Sequence, residues 1–359
     1  MKICICGGGN ISHSFIGELG YSPELNVNVL TRKPMEWADT LDVYYDNVFH
    51  HKSKISEVTD NYEILNDADV VIISMPANIR FDYINKIKDY ISEKAFLISA
   101  PSTGGINFIF DEYLPNNKYA CFERVPYISR TREYGHSVNT DVKKEVKVYF
   151  SETCSADDYN MLSDLLKINI IRLNSYYPLF LSNSNPILHI AGMVELLRGD
   201  YPYKQNYPLY DIWNDNTSEY ALGMDNELEQ LMGILKVKEY TNLLKHYGVD
   251  SKESLTKKLK SIPSFKQVMS PLVDKNGEFV IDTKSRYVQE DLPFGTCFIK
   301  LFAQINGLKT PYIDDAIRKI QPFMDAEFIN DNDLLNTEIL DKYTKNIDDI
   351  IKKKYTVKG

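Results

Sequence analysis

The chain opens on a short apolar run, Lys2-Ile3-Cys4-Ile5-Cys6, and three glycines follow at once, Gly7-Gly8-Gly9. Asn10-Ile11-Ser12 then leads into an apolar stretch ending at Leu19. Strand, glycine turn and helix in that order constrain the fold more than any other feature, because they open a Rossmann-type, doubly wound α/β sheet. In the G-x-G-x-x-G/A pattern the first glycine permits a tight turn and the second lets backbone N–H groups approach a pyrophosphate. The third position keeps helix and strand close. Gly7 and Gly9 fill the first two roles, and Asn10 and Ile11 carry the loop into a helix whose first N–H groups attract phosphate. Ser12 stands third, small enough for the packing but a departure from the pattern.

The second strand, Asn26 to Leu30, ends in Thr31-Arg32-Lys33. Roughly 20 residues past the glycines an NAD site usually carries a carboxylate for the ribose 2′-hydroxyl. Here a hydroxyl and two cations stand instead, which suits a 2′-phosphate, so NADP is the expected cofactor and NAD the second choice. Arg32 and Lys33 also read as solvated loop charges. Asp69 to Ser74 is an apolar strand of the doubly covered type, ending at Met75-Pro76. Ala95 to Ser99 ends at Pro101-Ser102-Thr103-Gly104-Gly105. Ligands of open α/β sheets bind beyond the carboxyl ends of strands, so Met75, Pro76 and the second loop are expected beside the nicotinamide. A hairpin-like pair, Ser137–Asn139 with Glu145–Phe150, follows. A helix near Ala156–Leu166 and a strand over Ile168–Leu173 close a first domain at 1–175.

From residue 176 to 359 the period turns helical, and the expected fold is a Rossmann-type N-terminal domain plus an all-α C-terminal domain. Asn185-Pro186 reads as N-cap and first helical position of a helix to Leu197. Leu228, Leu231, Met232 and Leu235 share one helical face, with Gly248 as the stop. Asp291–Asn306, Thr310–Met324 and Asn336–Lys354 read as further helices, and the four tyrosines of Tyr201–Tyr210 as a cleft wall or as aromatic packing.

Charge and cysteine content exclude several classes. Lys and Arg number 41 against 50 Asp and Glu, a net charge of −9, which argues against nucleic acid or anionic membrane as a partner. No apolar run approaches the roughly 20 residues of a membrane span, and the opening run is short for a signal peptide. The five cysteines are scattered, which suits buried thiols in a reducing, cytoplasmic setting without a metal site.

Two segments of the second half resemble the opine dehydrogenase family: Asn185-Pro186-Ile187-Leu188-His189, and Arg286-Tyr287-Val288-Gln289-Glu290-Asp291-Leu292-Pro293-Phe294-Gly295. The initial Gly-Gly-Gly-Asn, the Glu123-x-x-Pro126-Tyr127-x-x-Arg130 stretch and the order of domains resemble it too, so the likeness covers nearly the whole chain. The resemblance implies an enzyme that condenses an α-keto acid, such as pyruvate, with an amino acid and reduces the imine with a nicotinamide cofactor. It implies His189 as the proton-shuttling residue, Asp291 as its carboxylate partner and Arg286 as the grip on the keto-acid carboxylate. Glu123 and Asn185 are then expected to contact substrate. The partners are small molecules, and a homodimer is the candidate assembly.

Each residue also has a plainer reading. His189 reads as a packed core residue, and Asp291 as the N-cap of a helix beginning Leu292-Pro293. Arg286 reads as a surface partner of Asp282 or Glu290, and Glu123 as an ion pair with Arg124 or Arg130. His13, beside the glycines, is a candidate phosphate contact. Two rival functions remain, of which the first shares the two-domain plan. A ketopantoate-type reductase usually relies on a lysine on its helical domain, and Pro186–Leu197 has none. A nucleotide sensor needs no acid/base pair.

Overall fold

The computed structural model describes residues 1–338 apart from Asp200, Glu239 and Asp325. The chain divides into two compact units, 1–179 and 180–359. The first contains β1 (Lys2–Cys6), α1 (Asn10–Leu19), β2 (Asn26–Leu30), β3 (Thr40–Tyr45), β4 (Val48–Lys54) and β5 (Glu57–Thr59). It continues through β6 (Val70–Ile73), α2 (Ala77–Ile87), β7 (Phe96–Ser99), α3 (Ile106–Tyr113) and β8 (Tyr119–Phe122). Then come β9 (Tyr127–Glu133), β10 (Ser137–Val142), β11 (Glu145–Phe150), α4 (Ala156–Leu166) and β12 (Asn169–Arg172).

Eight strands make the main sheet, in the order β12-β11-β8-β7-β6-β1-β2-β5. From β8 to β5 all neighbours are parallel, whereas β11 runs antiparallel to β8 and carries β12 parallel to itself. The chain builds outward from β1 on one side through β2, then returns to β6 on the other, so the strand order reverses beside the glycine loop. Ligands bind at such a switch point. β1 and β6 are almost wholly apolar because helices or a second sheet cover both faces.

That second sheet, β4-β3-β10-β9, is absent from the sequence reading. It also overturns the expected hairpin of 137–139 with 145–150. β10 pairs antiparallel with β9 and parallel with β3, while β11 joins the main sheet. The apolar residues of the two strands serve different layers. Val138 faces α1 from the second sheet, and Val146, Val148 and Phe150 pack under the main one. α1 therefore contacts β1 and all four strands of the second sheet, and Ser12 through Gly17 are buried without a break. Gly17 is needed here, since a methyl on it would lie 2.8 Å from Val43 Cγ2 and 3.5 Å from Val138 Cγ1.

The second unit is helical, with one small hairpin. It runs from α5 (Pro178–Leu181), at the division, through α6 (Asn185–Arg198), α7 (Leu209–Ile212), α8 (Asp215–Ile234), α9 (Leu243–Tyr247) and α10 (Lys252–Ser261). The hairpin β13 (Leu272–Lys275) and β14 (Glu278–Ile281) follows. A π-helical stretch, Tyr287–Thr296, then runs directly into α11 (Cys297–Ile305), and α12 (Pro311–Ile320) comes after it. α6 is the central helix, packed against α8, α12 and the π-helical stretch.

Several boundaries differ from expectation. Ser184 is the N-cap of α6 and Asn185 its first residue, a one-residue displacement typical of helix ends. Gly248 ends the short α9, in the left-handed conformation at φ +65°, because α8 has already stopped at Ile234. The tyrosines of 201–210 pack aromatically. Tyr210 stacks on Phe265 at 4.5 Å, and Tyr201 meets the Phe323 ring edge at 5.4 Å. The helix expected over 336–354 lies, beyond Glu338, outside the described residues.

Candidate active site

In the first unit the glycine loop has the geometry its pattern requires. Gly7 sits at φ +108°, where a side chain would be strained, and Gly9 has open space around the position a Cβ would take. Gly9 caps α1 without a side-chain hydrogen bond, which leaves the helix start to a ligand anion. The residues present thus fit a dinucleotide pyrophosphate. Ser12 explains its departure from glycine, because it is fully buried and its hydroxyl lies 2.8 Å from the Ser74 hydroxyl beyond β6. Asn10 Oδ1 accepts from the Thr131 backbone N–H at 2.9 Å, tying the loop to β9. Ile11, one residue on, is half-buried.

At the end of β2, Thr31 is buried, Arg32 is exposed, and Lys33 pairs with Glu36 at 2.9 Å. Met75 lies 4.0 Å from where a Gly7 Cβ would stand, and Pro76 caps α2. Glu123 follows β8, its N–H donating to the Lys147 carbonyl at 3.0 Å.

His13 has both ring nitrogens engaged within the fold. It is fully buried, with Nδ1 bonded to the Gly9 carbonyl at 2.9 Å and Nε2 accepting from the Gly135 N–H at 2.9 Å. Burial pushes its pKa down, which suits that neutral tautomer. It is a strut between the loop and the β9–β10 turn. Sequence reasoning missed Arg80, whose guanidinium is buried in α2. It donates to the carbonyls of Met75 at 2.8 Å, Pro101 at 2.6 Å and Thr103 at 2.5 Å, holding together the loops after β6 and β7. An arginine between Ile79 and Phe81 was the available signal.

In the second unit, His189 and Asp291 meet. His189 Nδ1 lies 2.7 Å from Asp291 Oδ2, with 13% of the imidazole side chain and 3% of the carboxylate side chain exposed. Asp291 is inside the π-helical stretch and is not a helix cap. Pro293 lacks the N–H for a helical hydrogen bond, and such i→i−5 insertions recur at functional sites. Here the insertion turns a carboxylate inward. Tyr287 lays its ring 4.2 Å from the His189 ring, a contact that sequence reasoning also missed.

Arg286 precedes the stretch and is half-exposed. Its Nε lies 3.5 Å from Glu290 Oε2 and 3.7 Å from Asp291 Oδ2; the expected alternative partner, Asp282, makes no such contact. Two further contacts set the spacing of the two segments. A methyl on Gly295 would overlap the Pro186 ring, and the Thr296 hydroxyl donates to the Pro186 carbonyl at 3.0 Å. Asn185 is half-buried, one turn ahead of His189.

Residues 172–324, which include all four of these candidate residues, match the family model described as NAD/NADP octopine/nopaline dehydrogenase, alpha-helical domain. That match covers the helical unit, and over nearly its whole length the chain is similar to opine dehydrogenases. It is 25% identical to octopine dehydrogenase of Pecten maximus over 379 residues, covering 94% of each chain. A solved octopine dehydrogenase with NADH and pyruvate superposes with a TM-score of 0.84 at 21% identity, covering 98% of each chain. Yersinopine dehydrogenase with NADP+ bound gives 0.74 at 12% identity, covering 100% of this chain and 99% of that one. At such identities the two structures establish a common fold.

Proposed function

We propose that this chain is a nicotinamide-dependent opine dehydrogenase, which condenses an α-keto acid such as pyruvate with an amino acid and reduces the imine to an N-(carboxyalkyl) amino acid. The observation that carries the reading is the buried His189–Asp291 pair. Its carboxylate fixes the Nδ1–H tautomer and stabilises the imidazolium, which leaves Nε2 to take and return a proton as water is lost and the imine forms. The bound cofactor supplies the hydride. Arg286 holds the keto-acid carboxylate through its guanidinium fork, fixing the orientation of the carbon to be reduced. Asn185 and Glu123 contact substrate.

NADP is the preferred cofactor in this reading. The end of β2 offers no carboxylate, Arg32 is exposed, and Lys33 is partly committed to Glu36. Relatives solved with NADH and with NADP+ leave both choices open to the fold. Exchanging Arg32 for Asp shifts the preference toward NAD; an unchanged preference would assign the 2′-phosphate to other residues. A simple keto-acid reductase is disfavoured, because Lys300, the one buried lysine among the described residues of the helical unit, is held by Asp314 at 2.7 Å. All five cysteines are free, as a reducing cytosol would keep them.

The test is oxidation of reduced cofactor by purified protein with keto acid and pooled amino acids, each omitted in turn. Oxidation that needs both supports condensation. Oxidation with keto acid alone makes the protein a simple reductase.

A further inference from the structure

Tyr134 lies in the turn between β9 and β10, and its side chain comes back over the glycine loop. A methyl on Gly8 would overlap the Tyr134 hydroxyl, and that hydroxyl lies 3.4 Å from Thr31 Oγ1 at the end of β2. The ring is well packed. Trp37 meets it edge-on at 5.5 Å, His13 at 5.4 Å, and Lys33 Nζ lies 5.5 Å from its centroid. Packing accounts for an aromatic ring at this position, and phenylalanine would serve it equally. It does not account for the hydroxyl. The one partner of that oxygen among the described residues is Thr31, at the long end of hydrogen-bond range.

The corner between the first glycine loop and the end of β2 is where a doubly wound fold seats the ribose of adenosine. A carboxylate usually reads the 2′-hydroxyl there; it can only accept hydrogen bonds, and it repels a phosphate. Here the corner holds two neutral hydroxyls, which both donate and accept. We propose that Tyr134 is a cofactor-binding residue whose hydroxyl, together with that of Thr31, contacts the 2′ substituent of the adenosine ribose. The inference rests on the dinucleotide reading above and names a residue outside both the glycine loop and the end of β2. The pair suits a 2′-hydroxyl and a 2′-phosphate alike, with the stronger bond to the phosphate because that acceptor is charged.

The experiment is calorimetric titration of the full chain and of Tyr134→Phe with NADH, NADPH and adenosine 2′,5′-bisphosphate, alongside the melting temperature of each protein without ligand. The expected result is about a tenfold rise in Kd for NADH, a loss of a neutral hydrogen bond. For NADPH and the bisphosphate the rise is larger, up to about a hundredfold. The ligand-free melting temperature is unchanged, since the ring packing is kept. Equal Kd values for the two proteins would overturn the proposal, and so would tighter binding by the variant, which would make the hydroxyl an obstruction. Failure of the wild-type chain to bind any of the three would overturn the dinucleotide reading, and this inference with it.

Discussion

One oxygen of Asp291 faces both the His189 imidazole and the Arg286 guanidinium. An amide in its place would present an N–H toward Nδ1 and favour the wrong tautomer. Asp291→Asn should therefore lower kcat by about 10³–10⁴-fold, as in other His–carboxylate pairs, with cofactor Kd unchanged. Steady-state rates beside a binding titration check it, and near-normal turnover would remove the pair from the chemistry. Arg286→Lys exchanges a planar fork for a point charge, so KM for the keto acid should rise at least about tenfold while KM for the amine holds. If the amine constant moved instead, the pocket assignment would be reversed. The convergence of His189, Asp291 and Arg286 was legible because the resemblance sets their two short motifs in one site. Arg80 and Tyr134 were not: their roles come from backbone carbonyls and a glycine contributed by other parts of the chain.

At the scale of elements, the meeting of α6 with the π-helical stretch depends on Gly295, whose missing side chain admits the Pro186 ring. Gly295→Ala forces the two apart, at a cost of about 1–3 kcal/mol from overpacking. Activity should fall more than stability implies, because Asp291 is four residues away; a variant with lowered melting temperature and full kcat would show that the pair tolerates the displacement. The helix was readable in the apolar run from Leu292, but its π-helical start was not, since Asp291 before Leu292-Pro293 has the form of an ordinary cap. A second buried carboxylate gives a pH prediction. Glu227 accepts from the Tyr312 and Ile313 N–H groups at the start of α12, and burial pushes its pKa from 4.5 up to about 7. Between those values the folded chain holds a proton that the unfolded chain has released, so stability from this group falls as pH rises through the window. The melting temperature of the wild type relative to Glu227→Gln should decline from about pH 4.5 to 7; a flat difference would mean that the carboxylate titrates normally.

For the molecule as a whole, bound cofactor must raise the melting temperature, since ligand at a hundred times its Kd stabilises by about 2.7 kcal/mol. A thermal scan with NADH and NADPH at equal concentration ranks the two by the size of the shift, and a larger shift with NADH would reverse the preference proposed above. The doubly wound sheet was legible from its first strand and turn, because glycine geometry and an apolar parallel strand are local features. The second sheet was not. Leu41 and Val43 alternate as a strand should, but the parallel partner of β3 is β10, far along the chain, and no local pattern names it. That second sheet closes around α1, so from Ser12 to Gly17 the helix has no free side on which substitutions could accumulate. Over generations its interior must be nearly frozen. The turn from Glu133 to His136 is tied to that helix through His13 and to the segment after β2 through Gly135, so a change at this rim is felt by the helix beneath it.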